Sequence, residues 1–432
     1  MAFCKVRCWM PVLLSILFWL VTGSIDCQQA LDNLSPPGVT NPAEESTWRP
    51  VSFGSDGLTI SNKNGTSKIR FHGYVEGDGH LFTTNLKHEQ HNVFVFRRVR
   101  PLVDGRLANV LDFHFMPDFG AGNTVIPEVF VQMQPLPATS LSVGKFKTPV
   151  GLEVLRSDRD LTFVERSMAS DLIPVRDLGA QLEGSFFQHA ITYELGYFSG
   201  SADGIDANFE WRGTNAGVVR AFFHPFAPTD YKALQRLGLG IAASDGHRHG
   251  VLPTFKTIGQ QTFFRYAYGT IADGQQKRVS PQAYYYFRSI EFLGEYVASG
   301  QTVAAGATRR YLSNHGWGIS GSFVLTGERN SYEGIQPAHA FEPFVGLKHM
   351  GAWQIAFRRS AVEVDAAAFP QYALPSQSAR HAGESAVGLN WYINRYTKIM
   401  ADYEYTTFQM AGSSIPRLCP ERVTMVRLQF SF

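Results

Sequence analysis

The residues of this chain best suited to chemistry are basic. Arg97, Arg98 and Arg100 fall within five positions, in Phe96-Arg97-Arg98-Val99-Arg100. A second concentration lies at 145–176, where Lys145, Lys147, Arg156, Arg159, Arg166 and Arg176 are interleaved with Glu153, Asp158, Asp160, Glu165 and Asp171. A guanidinium can grip an oxyanion with two parallel N–H donors, and cationic side chains can replace the water that an anion sheds in a narrow passage. Passage also needs weak, multiple sites, so a ladder of cations serves better than one tight cage. The acids nearly cancel the bases in the second stretch, so any preference for anions must come from placement. The competing reading is that single arginines merely pair with Asp112, Asp118 or Glu128 on neighbouring segments.

Other chemistry finds little to work with. His247-Arg248-His249 and the group His80, His88 and His91 lack obvious Cys or carboxylate partners and read as solvated loops. The sequence holds no His-Glu-x-x-His, no phosphate-cradling Gly-rich loop and no nucleophile elbow. We therefore expect no enzyme, no cofactor and no metal. Net charge is +2, which argues against a nucleic-acid binder. Mean hydropathy is −0.12, too low for a bundle of transmembrane helices. Aromatics make up 13% of the 432 residues, too many for a disordered chain.

The elements that must position the basic residues are strands. From Val51 onward, segments of roughly 9–11 residues alternate with period two, the length and pattern of a tilted membrane strand. In 421–432, Val426, Leu428, Phe430 and Phe432 oppose Arg427, Gln429 and Ser431. In 397–407, Ile399, Ala401, Tyr403 and Tyr405 oppose Lys398, Asp402 and Glu404. Segments 385–393, 316–326, 190–198 and 109–115 follow the same rule. Aromatics recur near the ends of the apolar faces, as in an interfacial girdle, and the other face is repeatedly charged, as in a wet lumen. The expected fold is all-β: a transmembrane antiparallel β-barrel, closed because lipid cannot pair an open strand edge.

About seventeen candidate strands can be drawn, and an even number is required, so sixteen is expected, with the miscount around 262–289. Asn64-Gly65 suits a hairpin turn between 51–60 and 68–78. Turns at 184–188, 288–290 and 394–395 look tight, whereas 199–213, 244–261, 299–315, 327–348, 362–382 and 408–420 look like long loops. Short turns would then share one end of the barrel and long loops the other.

The N-terminus reads as an export signal, with Lys5 and Arg7 before the apolar run 12–21 and small residues at 22–24. We place the signal peptide at 1–27, a Pro-rich periplasmic linker at 28–50 and the barrel domain at 51–432. Only Cys27 and Cys419 would remain after cleavage, too few for a disulfide framework. The destination expected is the bacterial outer membrane, and a final strand ending in Phe432 resembles the C-terminal signal of such barrels.

Six fragments in order resemble the phosphate-selective porin O and P family. They are Phe96-Arg97-Arg98-Val99-Arg100 with Leu111-Asp112-Phe113-His114-Phe115; Leu141-Ser142-Val143-Gly144-Lys145-Phe146-Lys147 with Pro149-Val150-Gly151-Leu152-Glu153; Ser157 through Ser167 with Arg176-Asp177-Leu178-Gly179; and then Leu325-Thr326-Gly327-Glu328, Gly351-Ala352-Trp353 and Gly388-Leu389-Asn390-Trp391-Tyr392. The resemblance implies a homotrimeric outer-membrane porin, embedded in lipid, that passes small anions such as phosphate past an inward-folded loop. It implies that Arg97 and Arg98 are the paired constriction arginines and Arg166 the loop arginine. Arg156, Arg159 and Arg176 sit in or beside that loop, Lys145 and Lys147 end the strand before it, and Arg100 follows the pair.

Alternation raises a difficulty, because Arg98 and Arg100 share a face with Phe94 and Phe96 while Arg97 sits with Val95 and Val99. A bulge could turn both paired arginines inward, or the pair could lie at the rim. The chain also departs from the family pattern. Tyr74 stands where phosphate-selective relatives have Arg, Arg100 where they have Tyr, Val154 where they have Lys and Pro127 where they have Asp. These departures favour a broader anion porin, or a general small-solute porin, over a high-affinity phosphate cage. A barrel enzyme and a soluble exported β-protein that binds glycans are the remaining alternatives; for the enzyme, no Ser or Asp with a His stands out on adjacent strand ends.

Overall fold

Alternating apolar and charged residues leave each segment with one face for lipid and one for water, and only a ring of strands satisfies both with every backbone group paired. The computed structural model describes residues 50–54, 57–83, 92–136, 138–204, 214–346, 349–412 and 419–432. The expected signal peptide and linker, apart from Pro50, lie outside them, as do His88 and His91. The strands are β1 (Val51–Gly54), β2 (Gly57–Ser61), β3 (Lys68–Phe82), β4 (Val93–Leu107), β5 (Leu111–Asp118), β6 (Val125–Leu136), β7 (Thr139–Lys147), β8 (Arg176–Phe186), β9 (Ile191–Phe198) and β10 (Asn215–Phe223). They continue as β11 (Leu237–Gly250), β12 (Phe255–Lys256), β13 (Thr262–Phe264), β14 (Thr270–Phe287), β15 (Ile290–Ala305), β16 (Thr308–Val324), β17 (Ala352–Glu363), β18 (Ala379–Tyr392), β19 (Thr397–Met410) and β20 (Glu421–Ser431).

Sixteen of these, β3–β11 and β14–β20, form a closed antiparallel ring in which each strand pairs with its neighbour and β20 returns to β3. Phe432 helps to seal the seam: its N–H donates to the Gly73 carbonyl and receives the reciprocal bond, both at 3.0 Å. Strands β1 and β2 form a hairpin added to the start of β3. The turn at 62–67 has Gly65 at φ +67°, in the left-handed region that favours glycine. The surplus candidate around 262–289 resolves into the short β13, paired only with β12 inside a loop, and the ring strand β14.

The faces are those the alternation dictates. On β20, Val426, Leu428 and Phe430 are exposed outward while Arg427 is fully buried inside. On β19, Tyr403 faces out and Lys398, Asp402 and Glu404 are buried within.

Three expectations fail. Residues 299–315 are not a long loop: β15 and β16 run on to a tight turn at 306–307. Their Gly, Ser and Thr looked loop-like, but Ser299, Gln301 and Val303 point into the barrel, and the Tyr311 side chain covers the bare backbone of Gly300. β11 likewise continues to Gly250, so His247 and His249 sit on a strand end; His80 is buried in β3 beside Asp78.

Loop length also fails to sort by end. Counting strands places 325–351 at the end that carries the turns 187–190, 288–289 and 393–396 and the C-terminus. This long connection folds back into the barrel, where the Tyr332 hydroxyl donates to the Leu152 carbonyl at 2.5 Å and Asn330 is fully buried.

Candidate functional site: the arginine cluster at the inward loop

The connection 148–175 between β7 and β8 turns into the lumen because it is amphipathic. Val150, Leu152, Val154, Phe163, Val164, Met168, Leu172 and Ile173 are all buried. The opposite wall receives it with small residues: the Phe163 ring packs against Ala356 and Ala386, and a Cβ on Gly388 would come within 3.2 Å of that ring. Polar anchors hold the loop backbone. Val164 N donates to Asp402 at 2.6 Å, Leu152 N to Glu295 at 2.9 Å, and Asn390 Nδ2 to the Thr162 carbonyl at 2.8 Å. The Arg358 guanidinium lies 4.3 Å from the Phe163 ring centroid and donates to the Glu165 carbonyl at 2.7 Å.

On β4 the alternation difficulty has a structural answer. Glu76 of β3 pairs with Arg98 and Gly77 with Phe96, so Arg97 is the extra residue of a β-bulge. The bulge lets Phe94 and Phe96 stay on the outer face while Arg98 and Arg100, and Arg97 with them, turn inward. Arg97 Nε donates to Glu165 at 2.6 Å, and Arg98 Nη1 donates to Glu76 at 2.6 Å.

The cluster converges on Asp158. Arg100 donates to it in a short hydrogen bond, Arg166 lies 2.6 Å away, Arg176 3.5 Å and Arg98 3.6 Å. Arg100 also reaches Asp118 at 2.6 Å and the Tyr74 hydroxyl at 2.7 Å. Arg176 reaches Glu128 at 2.8 Å. Burial alone would raise the Asp158 pKa, but Arg166, Arg98 and Arg100 outweigh it and hold the carboxyl well below its usual range. Glu165 is likewise buried, and Arg97, Arg98 and Arg427 keep it ionised. Of these residues Arg97, Arg98, Arg100, Asp158, Glu165, Arg166 and Arg176 line a chamber of about 480 Å³, closed on one side by 254–260 of the loop that carries β12.

Five of the nine basic residues singled out from sequence, Arg97, Arg98, Arg100, Arg166 and Arg176, thus line one chamber. The other four do not. Lys145 is buried. Lys147 gives its ammonium to the carbonyls of Leu155 and Arg156, at 3.3 and 2.6 Å. Arg156 turns away to Glu291, at 2.7 Å on β15. Arg159 lies in a second cavity toward the C-terminal end, with Lys398, Arg395 and Arg70. For Arg156 and Arg159 the reason is that a loop crossing the lumen has two sides and an underside, and sequence position does not say which a side chain takes; Lys145 and Lys147 belong to β7, before the loop begins.

Sequence reasoning missed Arg427. It is fully buried, 2.6 Å from Asp78, 3.3 Å from Glu76 and 3.6 Å from Glu165. Its inner-face position on the final strand was the available signal, since that strand must close against β3. The arrangement as a whole offers an oxyanion several convergent N–H donors, most of them already shared with a carboxylate.

The comparisons agree with this architecture. The family profile for phosphate-selective porin O and P matches residues 73–432. A search of curated proteins returned no match. Among solved structures, the outer membrane channel DcaP of Acinetobacter baumannii superposes with a TM-score of 0.55 at 8% identity, covering 86% of this chain and 99% of that one. An anion-selective porin from Comamonas acidovorans superposes at 0.53 and 10%, covering 85% and 100%. The trimer form of OmpT from Vibrio cholerae gives 0.50 and 10%, covering 85% and 100%. These likenesses are of fold. With its closed sixteen-stranded ring, its inward loop and a match over nearly the whole barrel, the chain belongs to the phosphate-selective porin O and P family.

Proposed function

We propose that this outer-membrane porin works as a homotrimer that passes small anions, phosphate among them, with the arginine chamber as a broad filter rather than a high-affinity phosphate cage. The observation that carries the reading is the convergence of Arg97, Arg98, Arg100, Arg166 and Arg176 on one chamber at the inward loop. The carboxylates of Asp158 and Glu165 already occupy these guanidiniums, which weakens any single anion site and suits passage. The trimer form of the Vibrio cholerae neighbour and the anion selectivity of the Comamonas acidovorans one support the assembly and the ion preference by analogy of fold. Export by the signal peptide at 1–27 and a periplasmic linker complete the reading.

The test is the reversal potential of purified channels in planar bilayers under a chloride gradient, with and without added phosphate. A modest anion preference is expected, reduced in the double variant Arg97→Gln/Arg98→Gln. Cation preference in the unaltered protein would overturn it.

A further inference from the structure

Arg359 stands on the outside of the barrel. Its neighbour Arg358 points inward and pairs with Glu384 at 3.0 Å and Glu404 at 3.1 Å. Alternation then puts Arg359 on the face of Ile355 and Phe357, where it is exposed. Among the described residues its guanidinium has no acid, acceptor or ring for a partner. In the lumen Arg97, Arg98, Arg100, Arg166, Arg176 and Arg427 are each met by an acid, so this one is out of keeping.

Its surroundings are of two kinds. Toward the C-terminal end runs an apolar groove of about 670 Å³, walled by Phe292, Trp317, Ile319, Phe323, Ile355 and Phe357. Toward the opposite end, the loop end that carries the inward loop 148–175, lies a polar notch of about 300 Å³, lined by His381, Ser385, Tyr405, Thr407 and Gln409. Arg359 borders both. Ala361 and Gly383 keep the notch open where larger side chains would fill it.

Depth fits a membrane boundary. The stacked Trp353 and Trp391, 5.1 Å between centroids, mark one aromatic girdle. Arg359 is six residues further along β17, which for a tilted strand is about 15 Å of height. The side chain adds several ångströms more, toward the upper edge of an apolar band of about 25 Å. Trp317 and Tyr405 lie at this level by register, in Ala361↔Trp317 and Ser385↔Tyr405. An unpaired guanidinium at this boundary is costly unless an anion meets it, and a phosphate accepts its two parallel donors.

We propose that this face is a lipid site. Arg359, with His381 beside it, holds a head-group phosphate of a lipid in the leaflet at the loop end, and an acyl chain lies in the groove beneath. The proposal depends on the barrel's place in the membrane and not on the selectivity of its lumen.

The test is native mass spectrometry of the full protein in detergent, titrated with diphosphoryl lipid A. The unaltered protein should retain the lipid, Arg359→Ala should retain it at least about tenfold less, and lipid A stripped of phosphate should bind just as weakly. Ser385→Trp, which fills the notch and keeps the arginine, should reproduce the loss and carries the test if Arg359→Ala does not fold. Folding is checked by heat-modifiable migration and by conductance, which should be unchanged in both. Equal retention by both variants, or equal binding of the stripped lipid, overturns the proposal. So does release of the lipid by free inorganic phosphate, which would indicate a free-anion site. Loss of the oligomer in place of the lipid would assign the face to a contact between copies.

Discussion

Replacing Asp158 by Asn removes one charge from the middle of the arginine cluster while keeping the size of the side chain. The chamber is lined by the cations Arg97, Arg98, Arg100, Arg166, Arg176 and Lys256 and by the carboxylates of Asp158, Glu165 and Asp171. The variant leaves the cations in place with one carboxylate fewer. A unit charge acting on a permeating ion about 5 Å away is worth about 0.8 kcal/mol at the dielectric constant of water. Screening at physiological salt leaves about half of that. An anion gains this amount and a cation loses it, so the anion-to-cation permeability ratio should rise about fourfold. A drier chamber would enlarge the effect. The assay is the reversal potential of single channels in a tenfold salt gradient, with heat-modifiable migration confirming the fold. An unchanged ratio, or a shift toward cations, would refute the reasoning. A jump in conductance without a change in ratio would show that Asp158 serves as a tether for the loop and contributes little field.

Two other perturbations address the loop. In Gly388→Val the new Cβ would lie 2.7 Å from Asp402 Oδ1 and 3.2 Å from the Phe163 ring, the two anchors of the loop. Overpacking of this kind costs about 1–3 kcal/mol, comparable to what burying one Phe contributes. The loop should lift from the wall and single-channel conductance should rise; wild-type conductance in folded protein would count against the anchoring scheme. Burial pushes the Asp171 carboxyl up to about 7, against the Lys256 backbone N–H and charge, which lower it, while Asp203 adds to the rise. The folded protein thus keeps this proton up to neutral pH and gives it up above. Raising the pH from 6 to 8 should add one negative charge to the chamber and reduce anion preference, and Asp171→Asn should flatten that step. A pH response that survives in Asp171→Asn would assign it elsewhere.

Much of the wall could be read from the chain because period two is a one-residue rule. Val426 and Arg427 must face opposite ways wherever the strand goes, and they do. What could not be read needed information from another segment. The extension of β15 and β16 to the turn at 306–307 lies where the outer face need not be apolar, so its Gly and Thr lost the strand signal. The end of the barrel to which 325–351 belongs follows from the strand count, and one misread loop upstream disguises it. The bulge at Arg97 is set by the register of β3 against β4, which single-strand alternation cannot contain. Arg156 and Arg166 are ten residues apart in one loop, yet one faces Glu291 and the other Asp158.

Pairing also changes how the departures from the family pattern are to be counted. Tyr74 and Arg100 looked like two losses from an anion cage. They are cross-strand partners on β3 and β4, and Arg100 Nη1 donates to the Tyr74 hydroxyl at 2.7 Å. An Arg and a Tyr exchanged across one such pair move by about the 5 Å between neighbouring strands, and both remain in the same layer of the lumen. From position 100 the guanidinium still reaches Asp118 and Asp158. The exchange therefore keeps the cation, and it gives no reason to doubt the cage. Val154 does: it is fully buried within the loop, in the apolar cluster that also holds Val150 and Val164, and supplies no charge. The case for a broad filter thus rests on the departures at Val154 and Pro127 and on the carboxylates of Asp158 and Glu165 already seated among the arginines, and the charge removed in Asp158→Asn is the one that separates the second cause from the first.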